Sequence, residues 1–174
     1  MIRPKIFVST YRKYNHGNGA GEWVSVPNNE ERFLRLCADV HSDEDNPEFM
    51  YLDWVDVPAS LIRENHVDDA LFDAVDYMET LHRDDVRRAF LIWLSSVEID
   101  DVRDDLGTRF EDAYMGEYAS EREFAEEWLD DMDVPEPPRV GNITLGYDHD
   151  MLARDLFNTD YFFCDGHVFK EVSE

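Results

Sequence analysis

Carboxylates and apolar residues are interleaved at helical spacing through the middle of this chain. That interleaving limits what the chain can fold into more than any other feature. Residues 41–137 hold 30 acidic and 7 basic side chains. Even so, the longest unbroken acidic run is three, from Asp43 to Asp45. A disordered acidic tail lacks apolar anchors, whereas Leu, Phe, Trp, Val and Tyr recur here between the carboxylates. The charge therefore belongs to a folded surface. The flanks are different: residues 1–40 hold 6 basic and 4 acidic side chains, and residues 138–174 hold 3 and 7.

The whole chain of 174 residues carries −25 at pH 7. A surface of that sign repels DNA, RNA and anionic lipid and attracts basic partners, so neither nucleic acid nor membrane is expected as a partner. With 43% apolar and 13% aromatic residues, a packed core is within reach. No run of about 18 apolar residues is present, which excludes a membrane span, and Met1 to Val8 lacks the apolar block of a signal peptide. Two cysteines, Cys37 and Cys164, form neither a disulfide framework nor a metal spacing. A reducing, cytoplasmic setting is the simplest expectation. Thirteen of the 16 basic residues are Arg, a bias that fits a GC-rich genome or salt adaptation.

The pattern predicts an α+β chain in three small units. Residues 1–58 read as a ββαβ unit: a strand over Ile2–Ser9, a loop over 10–21, a strand over Glu22–Val26, a helix over 30–40 capped by Asn28 or Asn29, and a strand over Phe49–Val57. The helix sets Phe33, Leu34, Cys37 and Val40 on one face. Residues 59–107 read as an acidic helical unit, continuous from Pro58. Its apolar stripes run through Leu71, Val75, Met78 and Leu81, and through Phe90, Leu91 and Leu94. A shorter helix from Val97 is expected to end at Gly107. Residues 108–174 read as an α+β unit. An extended piece near 108–114 leads to a helix opened by the capping box Ser120-Glu121-Arg122-Glu123. A helix capped by Asp148 follows, and then a hairpin around Asp165-Gly166.

Several motifs invite chemistry that their surroundings do not support. Gly17-Asn18-Gly19-Ala20-Gly21 precedes a strand, whereas a phosphate cradle needs a helix there. Asp43-x-Asp45 and Asp148-x-Asp150 begin like calcium loops but carry Glu48 and Ala153 where Gly is required. None of the six histidines forms a ligand pair on one helix face. Cys164 and His167 face each other across a hairpin, as a simple pair or a nucleophile and base. No catalytic residue, metal or cofactor is expected.

The remaining feature is the array of carboxylates. On one helix face, side chains at i, i+3 and i+4 stand roughly 5–6 Å apart. Duplex DNA carries about one charge per 1.7 Å of axis, so −25 corresponds to roughly 42 Å of duplex. Two readings stay open: a surface that imitates DNA, or a salt-adapted globular domain or small enzyme whose acidity is solvation. The array comprises Asp68, Asp69, Asp73, Asp76, Glu79, Asp84, Asp85, Asp100, Asp101, Asp104 and Asp105. It continues through Glu111, Asp112, Glu117, Glu121, Glu123, Glu126, Glu127, Asp130, Asp131 and Asp133.

The order of short motifs is also informative. Tyr14-Asn15-x-Gly17, Gly21-x-Trp23 and Pro27 come first. The segment Phe110-Glu111-Asp112-Ala113-Tyr114-x-Gly116-Glu117-Tyr118-x-Ser120-x-x-Glu123-Phe124-Ala125-Glu126 follows. Asp148, Ala153-Arg154-Asp155-Leu156 and Asp165-Gly166-His167-Val168-Phe169 close the series. This order resembles that of the ArdA antirestriction proteins, DNA mimics carried by plasmids, conjugative transposons and phages. The resemblance runs from about residue 5 to 170. It implies an elongated three-part chain that forms a curved dimer, binds type I restriction–modification enzymes in place of their DNA, and has no catalysis, metal or cofactor. Arg154 is expected to pair with carboxylates of the third unit. Tyr161, Phe162, Phe163, Val168 and Phe169 crowd one hairpin and are expected either to form the homodimer interface or to fill the unit's own core.

Overall fold

Strand-forming residues at Lys5–Thr10 make the first strand, β1, of a computed structural model that describes residues 2–17, 20–99, 105–132, 134, 137–144 and 146–171. β2 (Glu22–Ser25) and β3 (Phe49–Val55) pair antiparallel with β1 on either side, in the order β2-β1-β3. Ile6 and Val8 are fully buried, and Val24 lies opposite Ile6. Thr10, which ends β1, also caps a five-residue helix, α1 (Tyr11–Asn15), by accepting a hydrogen bond from the Lys13 amide. The sequence pattern predicts a loop there, because a single helical turn has no room for an apolar period.

Helix α2 spans Glu30–Val40, and Asn29 caps it by accepting from the Arg32 amide. It buries Phe33 and Cys37, while Leu34 stays exposed. β3 ends two residues before the expected Val57, where Asp56 turns to φ 56°. The helical stretch expected from Pro58 is interrupted. A 3-10 turn over Ala59–Leu61 leads into a small hairpin of β4 (Ile62–Arg63) and β5 (His66–Val67). Ile62 and Val67 pair across it and are both buried, so a two-residue strand gains the core contact that a helical turn would otherwise supply. The helices proper are α3 (Ala70–Thr80) and α4 (Asp84–Ser96). They bury Leu71, Ala74, Val75 and Met78, and Ala89, Phe90, Trp93 and Leu94. Leu81 falls in the break between them.

The chain divides into two compact units, Met1–Arg109 and Phe110–Glu174. In the first, α3 shares a core with the N-terminal sheet and α2: the Phe33 ring meets Phe72 at 5.9 Å and Tyr51 at 6.0 Å. The short helix expected from Val97 falls largely on residues 100–104, outside the described residues. Gly107 does not end a helix. It is the second residue of α5 (Leu106–Ala113), so the extended piece expected at 108–114 is helical as far as Ala113. Leu106, Phe110 and Ala113 are buried at spacings of four and three, the helical period that overrides the Gly.

In the second unit, β6 (Tyr114–Glu117) is followed by α6 (Glu121–Asp131), whose cap Ser120 accepts from the Glu123 amide. A small hairpin of β7 (Arg139–Val140) and β8 (Ile143–Thr144) leads to α7 (His149–Thr159), capped by Asp148. The closing hairpin, β9 (Tyr161–Cys164) and β10 (His167–Lys170), turns through Asp165 and Gly166 at φ 48° and 84°. Two successive positive φ values are what a tight two-residue hairpin demands. β10 is the central strand of a sheet ordered β6-β10-β9. Phe124, Ala125, Ala153, Leu156 and Val168 form the core of this unit.

Candidate functional site

The array is built by helices that bury one side. On α3, Asp73, Asp76 and Glu79 are exposed at intervals of three, while Leu71, Ala74, Val75 and Met78 are buried. On α6, Phe124 and Ala125 point inward, and Glu121, Glu123, Glu127, Asp130 and Asp131 are exposed. Glu111 and Asp112 are exposed on α5 and Glu117 on β6. Asp105 is exposed at φ 64° just before α5. Asp69 is exposed before α3, and the half-buried Asp68 accepts from the Ala70 amide at 2.9 Å. Asp84 and Asp85 occupy the first turn of α4, where the helix dipole favours negative charge. Asp100, Asp101, Asp104 and Asp133 lie outside the described residues.

These carboxylates divide into two groups. Some are committed to local structure. Asp85 is paired with Arg83, which holds its carboxyl below the usual carboxylate range. Asp84 lies 3.5 Å from Arg87, and Asp76 accepts from the Asn28 amide group at 2.7 Å. Glu126 meets Arg122 at 2.9 Å and His149 at 3.0 Å, and these neighbours lower its pKa. Glu123 accepts from the Ala119 amide, and Glu127 lies 3.5 Å from the Tyr118 hydroxyl. In contrast, Asp73, Glu79, Asp112, Glu117, Glu121, Asp130 and Asp131 make no ion pair or side-chain hydrogen bond among the described residues. Their charge faces solvent uncompensated.

The other candidate chemistry is taken up by structure. Asp43 binds Lys13 Nζ at 2.7 Å, which lowers the Asp43 pKa. Asp148 caps α7, and Asp150 pairs with Arg122 at 3.1 Å. Among the described residues no cluster of His, Cys, Asp or Glu is placed to hold a metal. A strand, β2, follows Gly21, so the glycine loop has no helix N-terminus after it. Cys164 lies opposite His167 in the hairpin register, but His167 is buried with its Nδ1 3.2 Å from the Tyr114 hydroxyl. Arg154 is exposed and makes no ion pair among the described residues, contrary to its expected role. On α7 the inward positions go to Ala153 and Leu156, which turns Arg154 to solvent.

Of the crowded hairpin residues, Val168 and Phe169 are fully buried within the unit. Tyr161 and Phe163 are half-buried against its core, and Phe162 stacks on Phe169 at 5.1 Å.

This arrangement, a segmented acidic α+β chain, agrees with a comparison at the level of whole families. The model of the antirestriction protein family ArdA matches residues 6–170. The chain belongs to the ArdA family. An ArdA protein is an antirestriction protein that acts on restriction–modification enzymes, and the family is not one of enzymes. No curated protein matches the chain. No helix among the described residues is long and apolar enough to cross a membrane.

Proposed function

We propose that this ArdA chain acts as a mimic of B-form DNA, entering the DNA-binding groove of a type I restriction–modification enzyme and inhibiting it by competition. The observation that carries the reading is the uncompensated set on α3, α5, β6 and α6: Asp73, Glu79, Asp112, Glu117, Glu121, Asp130 and Asp131. A groove lined with cations for phosphate answers to charge density more than to base identity. Carboxylates fixed on helices offer that density without an ordered counter-cation among the described residues. The inhibitor works in the cytoplasm as a homodimer joined through its C-terminal unit, because the two half-sites of such a target favour a ligand with two-fold symmetry. Inhibition involves no bond chemistry, metal or cofactor.

The test is binding of the full chain to a purified type I methyltransferase with duplex DNA as competitor. Mutually exclusive binding is expected, weakening steeply as salt rises. Inhibition that persists undiminished at saturating DNA would refute the mimic.

A further inference from the structure

We infer that a cavity beside α3 receives one lysine or arginine side chain of the target enzyme, its aliphatic stem on an apolar floor and its charge on Glu79. This deepens the DNA-mimic reading above and rests on it. The cavity, of about 210 Å³, lies within the first unit, between the N-terminal strands and the helices α3 and α4. Val26, Val75 and Met78 line it and are all buried. Arg3, Arg87 and Glu79 supply charge to its wall.

The charges decide what enters. Arg87 is already engaged: its Nε donates to the carbonyls of Met78 and Leu81 at 3.1 and 2.9 Å, and its Nη1 lies 3.5 Å from Asp84. The Asp56 carboxylate accepts from the Arg3 amide at 2.9 Å, which sets a negative charge beside that residue as well. Of the three, it is Glu79 that makes no ion pair or side-chain hydrogen bond among the described residues. It also stands in the last turn of α3, which holds no basic residue. The helix dipole disfavours a carboxylate there, so a cation brought from outside relieves it.

An unmatched carboxylate beside a dry floor selects a particular kind of cation. Lysine and arginine carry a methylene stem that packs on apolar surface and a charged tip that stays outside it. A small inorganic cation gains nothing from the floor. A DNA-binding groove is rich in such side chains because they meet phosphates. A phosphate offers them charge without an apolar floor, so this contact is one that the mimic makes and its model does not.

The first experiment needs no enzyme. Amide NMR of the full chain is followed while n-butylammonium chloride is added, with ammonium chloride at equal concentration as reference. Saturable shifts at Val26, Val75, Met78 and Glu79 are expected with n-butylammonium alone, and their loss is expected in Glu79→Gln. Equal shifts with both salts, or larger ones with sodium butyrate, would overturn the inference. The second experiment is binding to a purified type I methyltransferase. Val26→Phe fills the floor and should raise the dissociation constant about tenfold. The salt dependence should stay as it was, because no charge is removed. The milder Val26→Leu guards against a folding defect and should act in the same direction by less. In the Val26→Phe background Glu79→Gln should cost nothing more, whereas Asp73→Asn should cost the same in both backgrounds. Additive losses for Val26→Phe and Glu79→Gln, with DNA still competing, would sink the inference alone. The mimic reading fails separately, if duplex DNA does not displace the chain.

Discussion

Gly21 packs so closely on β1 that a Cβ at position 21 would lie 2.5 Å from the Val8 carbonyl oxygen and 2.7 Å from the Phe7 ring. The obstacle is backbone, which cannot swing aside. The same Phe7 ring carries Trp23 edge-on at 5.5 Å, so the Gly21-x-Trp23 motif is the outer packing of the sheet. Gly21→Ala should therefore cost about 1–3 kcal/mol, as overpacking does. The melting temperature should fall by about 2–4 °C per kcal/mol for a chain of this size. Scanning calorimetry checks this, and an unchanged melting temperature would contradict so close an approach of Gly21 to β1.

The two thiols should react differently. Cys37 is fully buried on α2, and burial pushes its pKa up to about 12. Thiolate is the reactive form, so at neutral pH Cys37 is protected both by its protonation and by lack of access. Cys164 is half-buried in the closing hairpin. A chromogenic disulfide reagent should consume one thiol per native chain at a measurable rate, and the second only after denaturant is added. Equal rates for the two thiols in the native protein would count against a closed N-terminal core.

The Glu126 carboxyl sits below its ordinary value of 4.5 because Arg122, and after it His149, favours the charged form. A depressed carboxyl contributes stability above its unfolded pKa, and that contribution is lost as pH falls through the lower folded value. The window therefore opens near pH 4.5 and extends downward. Arg122→Ala should move the Glu126 midpoint back up toward 4.5, as read by NMR of the carboxyl carbon. It should leave stability at pH 7 nearly unchanged, because exposed pairs contribute little in water. No movement of the midpoint would mean that the pair is not formed in solution.

Much of the fold was legible in residues whose role is local. Asn29, Ser120 and Asp148 announce their helices because each supplies an acceptor for an orphan amide. Asp165-Gly166 announces the closing hairpin because both positions must adopt positive φ. What was not legible depends on contacts distant in the chain. Gly107 reads as a helix end, but it sits inside α5 against the Tyr77 ring, which a Cβ would meet at 2.6 Å. Two-residue strands such as β4 and β5 are too short to show a period of two. The acidic character of the array was plain in composition. Which carboxylates are free was not, because Asn28 reaching Asp76 and Arg122 reaching Asp150 span 48 and 28 residues.

That division between committed and free carboxylates yields the most discriminating prediction. If the array acts as a field, no single member is essential, and each exposed charge contributes roughly 0–1 kcal/mol. Asp73→Asn or Asp130→Asn alone should weaken inhibition of a type I enzyme by no more than about fivefold. Neutralising seven of the free carboxylates together, Asp73, Glu79, Asp112, Glu117, Glu121, Asp130 and Asp131, should abolish it. Folding should not suffer, because these side chains hold no partner among the described residues and their removal relieves like-charge repulsion. The control is a set of committed residues: Asp76→Ala and Asp85→Ala remove exposed contacts to Asn28 and Arg83, and should change the melting temperature little while leaving most of the field intact. Competition binding and thermal unfolding on the same samples separate the two effects. A single substitution that abolishes inhibition in a fully folded protein would point to one specific contact and against a distributed field.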